Sequence, residues 1–207
     1  MSMDLRTGSI SSSDGSVNSA RADRTGALVV AQGHGRYTEA TLRGSLFCAA
    51  NQASRTFTLF DTTAATGFIL FNPVGSGQNL ILMNVSYVRA TAAAAAISQL
   101  VLSSLVGITH ATTTAETVRN CFVGGPANAT AVGVVYRIST ISAAGVIVYA
   151  LTSPSVSATA TTDVPPVVSW DFDGAFVIAP GNGIQLAAAL TNTVDGIASM
   201  IWEEQPI

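Results

Sequence analysis

Apolar and polar positions trade places over short distances along most of this chain, and the alternation has the period of a strand rather than of a helix. The pattern is clearest in Arg55–Phe60 (RTFTLF), where every second residue is apolar. The strongest signal lies between Gly67 and Val88, where two apolar runs, Phe68–Phe71 and Leu80–Val88, flank the connector Asn72-Pro73-Val74-Gly75-Ser76-Gly77-Gln78-Asn79. Phe, Ile, Leu, Val and Tyr suit a pleated, half-buried surface, and the connector holds Pro together with two glycines able to take positive φ. This stretch predicts a hairpin: strand, turn, strand.

The same grammar recurs on both sides. Strands are expected over Leu42–Ala50, Ser98–Ile108, Val132–Ser139, Gly145–Leu151, Val164–Val168, Trp170–Phe172, Ala175–Ile178, Ile184–Leu190 and Ile197–Glu203. Val132–Ser139 and Gly145–Leu151 read as a pair joined by 140–144, and Ile184–Leu190 and Ile197–Glu203 as two strands joined across 191–196. The five alanines of Ala92–Ala96 favour a helix, but the Ser- and Thr-rich residues after them favour a long strand. Polar loops are expected at 109–130 and 152–163. No confident helix emerges. The fold class is all-β, an antiparallel β-sandwich whose longer crossing connections suit a jelly-roll-like order.

The first forty residues break the pattern. Gly, Ser, Asp and Arg dominate, with four of the nine arginines (Arg6, Arg21, Arg24, Arg36) offset by Asp4, Asp14, Asp23 and Glu39. Such a segment cannot bury enough surface to fold alone. The expected division is an extended arm over residues 1–40 that orders along a partner, followed by a β-domain over 41–207. His34 sits in Gly33-His34-Gly35-Arg36-Tyr37, a bend where arm meets domain, and Arg36 and Tyr37 are of the types that anchor interfaces.

Composition narrows the function classes. The chain is 48% hydrophobic but only 10% charged, without a single lysine, at a formal net charge of −3. A typical charged share is about 25%. A surface this poor in charge suits a protein that works packed against other subunits. It supplies no basic face for nucleic acid. No run reaches the roughly 18 apolar residues of a membrane span, and the first twenty residues lack a signal-peptide core, so no membrane association is expected.

Candidate chemistry is thin. Asp171-Phe172-Asp173-Gly174 has two carboxylates before a glycine but not the further oxygen ligands of a calcium loop. Asp171, Asp173, Glu203 and Glu204 are the only acids clustered in the sequence, and a hydrolase would have to draw its pair from them. Gly75-Ser76-Gly77 precedes neither Lys nor a helix, so it is no phosphate loop. Cys48 and Cys121 lie in apolar contexts and read as two buried thiols; a disulfide between them lacks a secretory setting. No catalytic residue, cofactor or metal is expected.

The segment Gln32–Ala40 (QGHGRYTEA), Gly44 and Phe47 after it, the connector NP-x-GSG-x-N, and the C-terminal APGNGIQLAAAL and SMIWEE together resemble small accessory virion proteins of tailed bacteriophages. The resemblance implies an arm preceding a β-sandwich or jelly-roll domain, assembled as a homotrimer on the phage head surface after synthesis in the host cytoplasm. The major capsid protein would be its partner, and its work would be that of a capsid cement (decoration) protein. The arm contacts would fall on Arg6, Arg21, Arg24, His34, Arg36 and Tyr37, and trimer or core packing on the strands around Trp170, Phe172 and Trp202. The alternative is a tail- or head-fibre module that recognises a host glycan through the loops 109–130 and 152–163.

Overall fold

The computed structural model describes residues 35–89, 100–124, 130–151, 167–189 and 194–207. By backbone contacts the chain divides into two compact units, 1–38 and 39–207; only the end of the first is described. The expected helix-or-strand ambiguity at Ala92–Ala96, the start of the strand assigned from Ser98, and the loop 152–163 all lie outside the described residues.

Chain order is α1 (Thr38–Leu42), β1 (Leu46–Ala50), β2 (Arg55–Phe57), β3 (Ala64–Asn72), β4 (Gln78–Arg89), β5 (Leu100–Leu105), β6 (His110–Ala115), β7 (Val118–Asn120), β8 (Val134–Ile141), β9 (Val146–Leu151), β10 (Val167–Ile178), β11 (Asn182–Ala188) and β12 (Val194–Pro206). The strands form two antiparallel sheets. One runs β10-β4-β12-β1-β7 with β2 added to β12; the other runs β6-β8-β3-β11-β5-β9. Both contribute to one core, in which Phe47, Val85, Met200 and Trp202 of the first sheet meet Phe68, Leu70, Leu102 and Leu186 of the second. The all-β sandwich expected from the alternation is the fold.

Several local readings change. Thr38–Leu42 (TEATL) is a single helical turn, and the strand expected from Leu42 begins only at Leu46. Gly44, at φ 73°, closes the turn: its N–H donates to the Thr41 carbonyl and the Ser45 N–H to that of Ala40. This is the Schellman arrangement, which satisfies the carbonyls a helix end leaves unpaired. The expected polar loop 109–130 contains two strands, β6 and β7. Their sequences, HATTTA and VRN, lack an apolar face because β6 and β7 are sheet edges, so alternation could not reveal them. Val167–Ile178 is one strand rather than three. Its ladder with β4 breaks between Asp171 and Phe176, where Asp173 and Gly174 take φ of 52° and 84°.

The largest correction concerns pairing. β3 and β4, expected as a hairpin, lie in different sheets: β3 pairs with β8 and β11, β4 with β10 and β12. Buried Asn72 makes the crossing. Its side-chain amide NH2 donates to the main-chain carbonyls of Gln78 and Ile178, both at 2.8 Å, while the main-chain carbonyl of Asn72 accepts from Gly181 N–H, also at 2.8 Å. The connector and the 179–181 turn are thereby tied at one end of the sandwich. β8 and β9 likewise do not pair; β9 lies beside β5, with β3, β11 and β5 between it and β8. β11 and β12 are again in opposite sheets.

Candidate interaction face and the fate of the candidate residues

The two flanks of the sandwich differ in chemistry. On one, the edge strands β6 and β7 present hydroxyl and polar groups, and β6 is interrupted twice against β8, with Thr112 at φ 49°. Irregularity and polarity of this kind discourage a second chain from pairing with an edge. On the other flank, the edge strands β9 and β10 meet across the core: the ring of Tyr149 lies edge-on to Phe172 at 5.2 Å and to Phe176 at 6.2 Å. β9 reads VIVYAL, without charge or proline. Its Val146 is 67% exposed, Ile147, Val148 and Tyr149 are exposed beside it, and Val177 of β10 is 58% exposed. A groove of about 290 Å³ is walled by Val106, Val148, Phe176, Val177 and Ile184. On this flank the β5–β9 ladder carries one bulge and β10 carries Asp171 and Asp173 at the break in its ladder with β4, so the apolar edge left without charge or proline is that of β9.

The residues singled out from the sequence scatter. Arg6, Arg21, Arg24 and His34 lie outside the described residues. Arg36 and Tyr37 form a local unit: the guanidinium sits 4.8 Å above the ring centroid and donates to the Tyr37 hydroxyl at 2.6 Å. Trp202 is fully buried, stacked with Phe47 at a centroid distance of 6.3 Å, and so belongs to the core and has no surface for a second subunit. Phe172 is buried in the same core, and Trp170 packs against it half-buried.

The four clustered acids do not converge. Glu203 and Glu204 face opposite sides of β12. Glu204 is 5% exposed and accepts from Val132 N–H at 3.0 Å, Gly133 N–H at 2.9 Å and the Trp202 indole N–H at 3.1 Å. Among the described residues Glu203 receives only a long contact from the Ser45 hydroxyl at 3.4 Å. Asp171, with β4 between it and β12, accepts from the Asn84 amide at 2.8 Å. Among the described residues no three His, Cys, Asp or Glu side chains come together.

Two groups matter that the sequence did not mark, Glu116 and His110, and the two cysteines read there as buried thiols are partly exposed. Glu116 is buried with Arg137 at 3.8 Å and Arg55 at 4.0 Å, so one interior carboxylate is balanced by two guanidiniums from β8 and β2. His110, in contact with the rings of Phe71 (4.2 Å) and Tyr136 (4.8 Å), pairs through Nδ1 with the Ser139 hydroxyl at 2.7 Å. Burial lowers its pKa. Cys48 and Cys121 are free thiols side by side: the hydrogen bond from Cys121 holds Cys48 down to about 7, against desolvation, while Cys121 is pushed up. Only the long-range pairing of β1 with β7 could have exposed this pair. No protein-family model, no curated protein and no solved structure matches the chain.

Proposed function

We propose that this chain is a structural subunit of a phage particle: a jelly-roll-like cement protein that trimerises and binds the outer surface of the head, with residues 1–40 reaching over the major capsid protein. The observation that carries the reading is the exposed apolar edge of β9. A soluble monomer blunts its sheet edges with charge, proline or distortion. Here β6 and β10 are both interrupted and β10 carries Asp171 and Asp173, while β9, without charge or proline, presents Val146, Ile147, Val148 and Tyr149 beside Val177. An apolar edge of this kind is the feature a repeating assembly would cover. The low charge of the chain and the resemblance of its motifs to accessory virion proteins support the same reading. Avidity over a symmetric lattice would then turn modest single contacts into stable decoration.

Ile147→Lys together with Tyr149→Lys tests it. Light scattering after size exclusion should find a trimer for the parent and a folded monomer for the variant. Rebinding to heads stripped of this protein should weaken at least about tenfold, since avidity is lost. Deletion of residues 1–40 should leave a trimer that no longer decorates heads. A parent chain that stays monomeric at working concentration, or an arm-less chain that decorates at full occupancy, would sink the corresponding half of the proposal.

A further inference from the structure

The two cysteines are separated widely in sequence, yet the ladder brings them together. β1 and β7 pair with Cys48 opposite Arg119 and Phe47 opposite Asn120, and the N–H of Cys121 donates to the Leu46 carbonyl at 2.9 Å. Side chains alternate faces along a strand, so Cys48, Arg119 and Cys121 all point to the same face of the sheet, the two thiols diagonal to each other. Both are partly exposed. A cleft of about 350 Å³, walled by Cys48, Gln52, Thr117, Arg119, Ser199 and Ile201, opens beside Cys48. It is wide enough for a small peroxide and brings a guanidinium to its rim.

We propose that Cys48 and Cys121 form a peroxide-reactive dithiol site, in which Cys48 is the attacking thiol and Cys121 the resolving one. The Cys48 thiolate attacks one oxygen of hydrogen peroxide, the O–O bond breaks, and hydroxide leaves, giving Cys48 sulfenic acid; sulfur is oxidised and peroxide reduced. The Cys121 sulfur then attacks the Cys48 sulfur, the S–OH bond breaks, and water departs with the Cys121 proton, leaving an intrachain disulfide. The roles follow from access: Cys48 walls the cleft and stands opposite Arg119, whereas Cys121 does not wall it, and the contact with Cys121 further favours the Cys48 thiolate. Arg119, opposite Cys48 in the ladder, lines the approach with positive charge. The crosslink would join β7, a three-residue edge strand, to β1 and close a loop of roughly 70 residues, long enough for a large effect on the unfolded chain.

The test uses the full reduced chain treated with stoichiometric hydrogen peroxide. Intact mass should fall by two hydrogens, non-reducing electrophoresis should show a monomer of higher mobility, and the melting temperature should rise by on the order of 10 °C. Cys121→Ser should instead accumulate a sulfenic acid at Cys48, trapped by dimedone and located by peptide mapping, and Cys48→Ser should trap little. Alkylation of Cys48 by iodoacetamide should reach half its limiting rate near the value of about 7 that its neighbour imposes. An unchanged mass, an intermolecular disulfide, or dimedone labelling confined to Cys121 in the Cys48→Ser chain would overturn the proposal. The wild-type mass measurement decides even if a variant folds poorly, and none of these outcomes depends on the state of assembly.

Discussion

Removing the Glu204 carboxylate tests how the end of the sandwich is held. Glu204 is buried and stands at the centre of three donors from two distant parts of the chain: the main-chain N–H groups of Val132 and Gly133 before β8, and the Trp202 indole on its own strand. Glu204→Ala leaves all three without a partner in the interior. A hydrogen bond to a charged group contributes about 1.5–3 kcal/mol, and an orphaned buried donor costs about 1–3 kcal/mol. Two effects offset part of the loss: the folded state no longer desolvates a carboxylate, and the vacated space admits a water able to accept from the backbone. The net expectation is a destabilisation of about 3–5 kcal/mol, within the range for stripping one partner from a buried charged network. Equilibrium unfolding in urea should show a lower midpoint at unchanged slope, since the same surface is exposed on unfolding. Glu203→Ala is the internal control. Its carboxylate faces the other side of β12 with one long contact, so the loss should stay within about 0.5 kcal/mol. A Glu204→Ala loss below about 1 kcal/mol, or a Glu203 effect as large as that of Glu204, would show that the carboxylate does not hold the 131–133 segment.

Gly67 has φ 119°, and a Cβ there would lie 2.6 Å from Cδ1 of Phe57, itself buried edge-on to Tyr87; Gly75 has φ 75° with open space around it. Gly67→Ala should therefore cost about 3 kcal/mol or more and Gly75→Ala only about 1 kcal/mol, so equal losses in thermal melts would refute steric overlap as the cause. The His110 imidazole, with its pKa lowered by burial, favours the neutral form in the folded state, so its contribution is complete above the unfolded value of 6.5 and is lost as pH falls through the folded value. Melting temperature should thus drop further for the parent than for His110→Gln between about pH 8 and about pH 5, and parallel curves would assign the acid sensitivity elsewhere.

What the sequence made legible was local. Alternation in Arg55–Phe57, Leu80–Val88 and Ile197–Glu203 marks strands because one face of each packs on a shared core, and side-chain period follows from backbone geometry alone. It fails where neither face is apolar, as in β6 and β7, and where a single turn is capped by Gly44. Pairing is a different kind of information. A turn-rich connector such as 73–77 can close a hairpin or cross between sheets with the same residues, and the choice depends on what lies at its ends. Here the decisive group is Asn72, whose amide bonds Gln78 and Ile178 at once. A buried amide inside an apolar run is the one local clue, since burying such a group unpaired would cost several kcal/mol.

The same distinction governs the site. Glu204 and Glu203 are adjacent in sequence and look equivalent, yet strand geometry sends one carboxylate to the interior and the other to the surface. Cys48 and Cys121 look unrelated, yet one ladder sets them side by side. The segment Gly145–Leu151 reads correctly as a strand, formed over Val146–Leu151, but not as half of a pair with β8, and the difference decides what its apolar residues do. A strand paired on both sides would have had its apolar residues explained by the fold. Among the described residues β9 pairs only with β5, so Val146, Ile147 and Val148 remain exposed at an edge, and Tyr149, though packed on Phe172 and Phe176, stays partly exposed beside them. Part of the hydrophobic pattern of that segment is thus left exposed at the sheet edge, and this is the surface that the proposed assembly would have to cover.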